Sequence, residues 1–276
     1  MPLTAIEAAF LALAMLAYAI AGGIAGFDLA RRRRDPLAKS NPWIPRGVLI
    51  VGFAAHAVLL ALRGFRLGDH ALDDAPSTLL FGAWCATLVG VIIDAGQGLR
   101  SLPLFLSPAL VLGLGVAAIQ FNGTTTEMSV PPQAQLAIRA HICSAVVAYG
   151  SFFFAAVLSA MYLFLERQLK RKKLGVFEQL PALDRLERVE GRFVVAGFAL
   201  FTVSLAIGIG TQYRTGALGD NWLLNPKILP ALVTWAACGG LVLARALSLL
   251  AGRRQVFATL IVFALVVMTH LGASHV

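Results

Sequence analysis

Charged residues are scarce in this chain, and their scarcity excludes most soluble folds. Only 13% of the 276 residues are charged, whereas 58% are hydrophobic. Soluble domains carry about 25% charged residues. Carboxylates inside apolar blocks, such as Glu7 and Asp94, lie near block ends, so the spans lack the row of acidic groups that an ion-relay transporter uses. The composition indicates an integral membrane protein.

Cysteine and the common catalytic motifs are also nearly absent. The three cysteines (Cys85, Cys143 and Cys238) all fall within apolar blocks and have no CxxC spacing, which excludes a disulfide framework and a thiol-redox motif. The chain has no glycine-rich phosphate loop, nucleophile elbow or plausible catalytic triad. A self-sufficient enzyme is therefore not indicated.

Long apolar blocks dominate what remains. Each is about 17–25 residues long, the length that an α-helix needs to cross about 30 Å of hydrocarbon. In lipid the backbone must satisfy its own hydrogen bonds, so these blocks predict helices. We predict an all-α, polytopic bundle of eight spans in one integral membrane domain, 1–276, with four spans in 1–121 and a four-span block in 135–271. The predicted spans are 3–28, 46–63, 78–95, 102–121, 140–165, 193–213, 228–250 and 255–271.

The basic residues alternate from loop to loop, and this predicts the orientation. Eighteen of the 23 Lys and Arg residues fall on one side of the predicted bundle. By the positive-inside rule this side is cytoplasmic and both termini lie outside. The net charge of +9 is then an orientation signal, with a second role in binding anionic membrane lipids, and does not indicate nucleic-acid binding.

The inner connection 166–192 carries an amphipathic pattern. Leu180, Leu183, Leu186 and Val189 recur every three residues among charged side chains, and Pro181 fits the first turn of a helix. We predict a short separate helix that lies along the cytoplasmic membrane surface.

A loop and two histidines at the predicted outer face form the candidate ligand site. Trp222 lies in the polar loop 214–227 that leads into the seventh span, while His141 begins the fifth span and His270 ends the eighth. Two imidazoles can hold haem iron in six coordination, whereas a zinc site needs further donors. This favours haem over zinc. Arg214 and Lys227 bracket the loop, either as partners of haem propionates or as ordinary juxtamembrane charges.

A third histidine lies within a span. His56 is about ten residues into the second span, slightly beyond the membrane midplane, and its neighbours are small. An ionisable group at such depth is either functional or hydrogen-bonded to another helix. Both interpretations stay open from the sequence.

The segment Trp222-Leu-Leu-Asn225-Pro226-Lys227, followed by Thr234-Trp235, resembles the end of the tryptophan-rich WWD signature of the cytochrome c assembly family. Leu224 and Asn225 stand where the family pattern has tryptophan and aspartate. The stretch from Leu180 through Gly208 and the span opened by His141 are also similar to that family, most closely to its short CcsA/HemX/YpjD-like branch.

This resemblance implies a haem-handling protein of the bacterial inner membrane that presents haem at the outer face to apocytochrome c or other assembly proteins. It implies His141 and His270 as axial ligands, and Trp222, Asn225 and Lys227 as part of the loop that cradles the ring. His56 corresponds to a ligand of a second, inner haem. The implied mechanism is binding and presentation. The alternative is a non-catalytic scaffold or regulator that has lost haem and works through the amphipathic segment 178–191.

Overall fold

A computed structural model describes residues 2–35, 41, 43–72, 74–97, 102–121, 134–170, 182–215 and 228–275, apart from the side chains of 33, 69, 95–97 and 271–275. Over these ranges the chain forms eight α-helices, one 3-10 turn and no strand. The helices are α1 (Ala5–Arg34), α2 (Trp43–Leu67), α3 (Ala75–Gln97), α4 (Leu102–Gln120), α5 (Gln135–Lys170), α6 (Leu183–Thr215), α7 (Ile228–Ala246) and α8 (Arg253–His275). All eight are long and apolar enough to cross a membrane. The predicted all-helical, eight-span fold is confirmed.

The prediction of a separate surface helix before the sixth span is wrong. Leu183–Thr215 is one uninterrupted helix of 33 residues, so the amphipathic segment is the first part of that span. Leu186 and Val189 are buried, which explains their periodicity: they face protein. Leu180 and Pro181 lie outside the described residues.

The helices group into two compact units, and the boundary crosses α5 and α6. Unit 1 comprises Met1–Thr126 and Ala160–Leu186, and unit 2 comprises Glu127–Ser159 and Glu187–Val276. Unit 1 therefore contains the last part of α5 in addition to the four N-terminal helices, and Phe164 of α5 packs edge-on against Phe105 of α4.

In unit 1, α1 packs against both α2 and α4, and α4 packs against α3. Glycine permits the close approach of α1 and α2, because a Cβ added at Gly52 would lie 2.8 Å from the ring of Tyr18.

A buried charge cluster closes one end of unit 1. Arg63 of α2 is 1% exposed; its Nη2 lies 3.1 Å from the Asp74 carboxylate and its Nη1 lies 3.8 Å from that of Glu7. Its guanidinium donates to Ser77 at 3.1 and 2.8 Å and lies over the ring of Phe121. Buried charges require partners of this kind. The cluster joins the ends of α2 and α4 to the beginnings of α1 and α3, which is the end predicted to lie outside.

In unit 2, α5, α6, α7 and α8 all contribute to one apolar core. Its fully buried members are Ala148, Phe152, Ala155, Val194, Phe201, Cys238, Leu241, Val262 and Val266. Close packing of α5 against α6 depends on Gly197, because an added Cβ would lie 3.2 Å from the Phe152 ring.

A second buried charge cluster closes the other end of unit 2, predicted to be cytoplasmic. Glu190 of α6 is 1% exposed. It accepts hydrogen bonds from Arg245 at 2.8 Å, from Gln255 at 3.0 Å and from Thr259 at 2.5 Å. The carboxylate of Glu187 also accepts from the Gly252 backbone. These hydrogen bonds connect the beginning of α6 to the end of α7 and the beginning of α8.

Candidate functional site

His141 lies near the beginning of α5 and is held by α6. Its Nδ1 lies 2.7 Å from the carbonyl oxygen of Ser204 and 3.0 Å from the Ser204 hydroxyl. The same hydroxyl is 3.0 Å from the carbonyl of His141. Since a carbonyl oxygen only accepts, the bond at 2.7 Å places a proton on Nδ1. The neutral imidazole then keeps its lone pair on Nε2, which is the form that binds a metal ion.

Gly208 provides the space for this imidazole. It lies one helical turn after Ser204, and an added Cβ would lie 3.0 Å from Cε1 and 3.1 Å from Nδ1 of His141. Ordinary side chains do not approach so closely, so the glycine lets the ring lie flat against α6.

His270 lies near the end of α8 and packs against α5. Its ring meets the ring of Tyr149 edge-on, with centroids 5.7 Å apart. Tyr149 also packs edge-on against Phe201 of α6, at 5.8 Å. Tyr149 follows His141 by eight residues, about 12 Å along the helix axis. Both imidazoles are therefore positioned through contacts with the same two helices, α5 and α6.

The dipeptide Thr234–Trp235 connects α7 to both histidine-bearing regions. The hydroxyl of Thr234 lies 2.7 Å from that of Thr269, the residue before His270. The indole N–H of Trp235 donates to Thr202 at 2.9 Å, two residues before Ser204. Trp235 also stacks on Phe198, so this tryptophan is a packing residue between α6 and α7.

A cleft with a volume of about 650 Å³ lies between the beginning of α5 and the end of α6. This volume is in the usual range for small-molecule and cofactor sites. Arg214 is exposed and lines the cleft. The other described lining residues are Ala134, Ala137, Ile207, Gly210, Thr211 and Thr215. Ala137 lies one helical turn before His141, so the cleft extends the seam in which that imidazole is held.

The hydroxyl groups in the cleft are already committed as donors. Thr211 donates to the carbonyl of Ile207 at 2.8 Å, and Thr215 donates to the carbonyl of Thr211 at 3.0 Å. Arg214 is thus the lining side chain, among those described, that offers a positive charge to an anionic ligand.

His56 has different surroundings, in the core of unit 1. It is 0% exposed, and its Nδ1 lies 3.4 Å from the hydroxyl of Tyr18. The backbone of Leu80 lies against the same ring, but its geometry leaves the buried Nε2 without a hydrogen bond. A haem iron could reach this ring only if these neighbours moved.

The predicted loop residues Trp222, Asn225 and Lys227 lie outside the described residues. Within the described ranges, no three His, Cys, Asp or Glu side chains come together as a group that could hold a metal ion. His141 and His270 remain the predicted pair of donors for a haem iron.

Sequence reasoning missed the residues that hold the histidines. Four residues are uncharged and match no motif: Ser204, Thr202, Tyr149 and Thr269. A weak signal did exist: Ser204 and Gly208, a small pair one turn apart, are typical of positions where membrane helices approach closely.

No solved structure matches the chain. HemX of Brevibacillus brevis is 26% identical over 185 residues, which cover 66% of each protein, just under two thirds of HemX. The cytochrome c biogenesis protein CcsA of Synechococcus elongatus is 23% identical over 87% of this chain and 86% of its own length. The inner membrane protein YpjD of Escherichia coli is 22% identical over 82% of this chain and 81% of its own length.

The sequence profile described as cytochrome c assembly protein matches residues 74–276, well over half of the chain. The matched range includes all of α5 to α8, and with them His141, His270 and the cleft. This multi-pass membrane protein belongs to the cytochrome c assembly protein family.

Proposed function

We propose that unit 2 binds haem, with His141 and His270 as axial ligands, and presents it at the outer membrane face during cytochrome c assembly. Family membership supports a role in assembly, and a relative named inner membrane protein YpjD supports a bacterial inner-membrane location. The observation that carries the proposal is the hydrogen bond from His141 Nδ1 to the Ser204 carbonyl.

That hydrogen bond is typical of a metal ligand. Histidines that bind metals almost always donate the other ring N–H to a carbonyl or carboxylate, which fixes the tautomer and the ring orientation. His141 has this arrangement: Nδ1 bonds the Ser204 carbonyl at 2.7 Å, and Gly208 leaves room for the ring beside α6. The imidazole is therefore preorganised, and binding costs little side-chain entropy.

His270 is the second ligand in this proposal. The edge-on contact with Tyr149 restricts its ring, and Tyr149 belongs to the helix that carries His141. His141 and His270 would hold the haem iron through their imidazole nitrogens, and haem held in this way would be stored and oriented.

The cleft between α5 and α6 accommodates the edge of the macrocycle. The alanine and glycine residues in its lining have small side chains that leave room for a flat ligand. Arg214 offers the positive charge with which a haem propionate would pair. In the sequence, Trp222, Asn225 and Lys227 follow directly on the end of α6. We propose that these three residues cover the ring.

The chain provides binding and orientation, and another protein provides the thiols. Cytochrome c haem attachment uses a CxxCH sequence, and no CxxC pair occurs here. Apocytochrome c or a further assembly protein is therefore the proposed partner. Presentation of haem, and not a self-sufficient synthetase activity, is the proposed role.

The visible spectrum of the protein tests this proposal. The full-length chain, purified in mild detergent after expression with added haem, should show a Soret band of six-coordinate, low-spin haem. His141→Ala and His270→Ala should each convert or abolish that spectrum, and the double variant should be colourless. His70→Ala is the matched control, because His70 is an exposed histidine of unit 1. A colourless wild-type protein, or a spectrum unchanged in the double variant, would refute the proposal.

The scaffold alternative depended on the amphipathic segment 178–191. Leu186 and Val189, two of the apolar residues that such a surface needs, are buried within the protein itself. No specific observation now favours that alternative over haem binding.

A further inference from the structure

We infer that the dipeptide Thr234–Trp235 of α7 positions both histidines of the proposed haem site, a role that rests on the proposed function and extends it to residues outside the cleft. Neither side chain is among the described residues that line the cleft. Trp235 acts through Thr202, which lies two residues before Ser204, and Thr234 acts through Thr269, which precedes His270.

Trp235 fixes α6. Its Nε1 donates to Thr202 Oγ1 at 2.9 Å, and this hydroxyl donates in turn to the carbonyl of Phe198 at 2.8 Å. The indole also stacks on the Phe198 ring, with centroids 5.9 Å apart. Aligned hydrogen bonds strengthen one another. The chain of two bonds therefore sets the rotation of α6 just before Ser204, whose carbonyl orients His141.

Thr234 fixes α8. Its Oγ1 lies 2.7 Å from Oγ1 of Thr269, and both side chains are buried. Thr269 also lies within 3.4 Å of the Pro230 carbonyl, so it is bonded to α7 at two points one turn apart. His270 is the next residue of α8. A rotation of α8 that broke these bonds would turn His270 away from Tyr149.

Because Thr234 and Trp235 are adjacent, α7 can contact α6 and α8 at the same point along its length. Consecutive residues on a helix point about 100° apart, so a helix packed beside two others can contact both from neighbouring positions. Two axial ligands must meet one iron atom, and a binding constellation has to be held within about 0.5 Å. A single helix that anchors α6 and α8 at the same level provides that precision.

The test uses Thr234→Val, which keeps the size of the side chain, and Trp235→Phe, which keeps a smaller aromatic ring; both remove the hydrogen bond of the native side chain. Loss of a residue that bonds a metal ligand directly weakens metal affinity roughly 10- to 100-fold, and because Thr234 and Trp235 act through one further residue we expect haem affinity to fall by up to about tenfold in each variant. We also expect a shift from low-spin, six-coordinate to high-spin, five-coordinate haem that added imidazole reverses. Thr234→Ser should restore the wild-type spectrum. Ser151→Ala is the control, because Ser151 donates to the Val147 carbonyl of its own helix.

A second measurement does not depend on haem. Spin labels on the exposed Cys143 of α5 and on a cysteine placed at Met268 of α8, which is 70% exposed, report the α5–α8 distance in a Cys85→Ala background. Thr234→Val should shift or broaden the distance distribution, and Ser151→Ala should leave it unchanged.

The outcomes separate the two claims. A colourless wild-type protein refutes the proposed haem site, while the label distances still decide whether Thr234 places α8. Wild-type haem ligated by His141 and His270, with unchanged spectra and affinities in Thr234→Val and Trp235→Phe, refutes the positioning role alone. Weakened binding that imidazole and Thr234→Ser do not rescue also refutes it, because a general loss of folding would give that result.

Discussion

The two units each contain histidine within apolar helices, but in opposite settings. In unit 1, His56 is fully buried, and its side-chain hydrogen bond to Tyr18 is long at 3.4 Å. In unit 2, His141 is partly exposed, makes a short bond to the Ser204 carbonyl and lies one helical turn after Ala137, which lines a cleft. These settings favour His141 over His56 as the proposed ligand, because Nδ1 of His141 makes a short hydrogen bond to a carbonyl whereas His56 is fully buried.

The charge clusters repeat this contrast. Unit 1 has its buried arginine, Arg63, at the end predicted to face outside, and four helices meet there. Unit 2 has its buried glutamate, Glu190, at the end predicted to face the cytoplasm, and its predicted outer end contains the cleft and both histidines. A helical bundle locked at one end can stay open at the other, which is the property that a site for a large flat ligand requires.

The largest expected effect is on the stability of unit 1. Arg63→Ala removes a buried cation that pairs with Asp74 at 3.1 Å and lies 3.8 Å from Glu7, so Asp74 loses its arginine partner at this end of unit 1. Breaking a buried pair in this way costs about 3–5 kcal/mol, so we expect the free energy of unfolding to fall by that amount. Thermal or denaturant unfolding in detergent measures it.

Arg66→Ala is the matched control for that variant. Arg66 bonds Glu7 as well, at 2.8 Å, but its side chain is 35% exposed. Because water reaches the Arg66 side chain and screens its charge, we expect Arg66→Ala to cost less than Arg63→Ala. Equal losses in the two variants would contradict the view that Arg63 closes unit 1.

A smaller effect is expected in unit 2 from Gly208→Ala. The new methyl group would press on the His141 ring at 3.0 Å, and overpacking of this kind costs about 1–3 kcal/mol. Because 1.4 kcal/mol is a factor of ten, haem affinity should fall roughly 5- to 150-fold, as measured by titration with a Soret readout. Gly240→Ala, at a position with no atom within 4 Å of the added Cβ, should bind haem like the wild type. If both variants bind equally, Gly208 does not orient His141.

The membrane spans could be predicted from the sequence because each apolar block matches the thickness of a bilayer. Their ends could not. α5 continues to Lys170 and α6 begins at Leu183, so both helices extend past the hydrophobic window. Charged residues end a hydropathy block, but backbone hydrogen bonds continue through them, and a charged turn at the membrane surface is stable as helix. This is why the amphipathic segment was assigned to a separate helix.

The candidate site was predictable only in part. Histidine and arginine attract notice in an apolar sequence because burying them is costly. Their supports are ordinary residues whose role depends on the register between helices. The bond from His141 to Ser204 spans 63 positions and that from Thr234 to Thr269 spans 35, and no local pattern encodes either. The burial of His56 also depends on packing, through Tyr18 and Leu80.

Arg214 should contribute less than Gly208. It is exposed at the edge of the cleft, where water and salt screen a charge pair. Arg214→Gln should weaken haem binding by up to about fivefold, equivalent to about 1 kcal/mol or less. The difference should shrink at high ionic strength, because exposed charges are screened over about 10 Å at 0.1 M salt. Arg254→Gln, an exposed arginine at the opposite end of unit 2, controls for net charge. An effect of the same size in both variants would exclude a direct contact with propionate.

The smallest effect is expected at His56, and it tests the comparison between the two units most directly. Leucine has nearly the volume of histidine and needs no hydrogen bond, while Tyr18 keeps its second partner, Thr87. His56→Leu should therefore change the free energy of unfolding by about 1 kcal/mol or less, since removing a poorly satisfied buried polar group is nearly neutral. The haem content per protein, measured by the pyridine haemochrome method, should equal that of the wild type. If His56 instead ligates a second haem, as the family resemblance implies, the variant will lose one haem per chain while the His141 spectrum persists. That result would mean that the enclosed packing around His56 opens to admit a ligand, and that a histidine fully buried in a span can still be a binding residue.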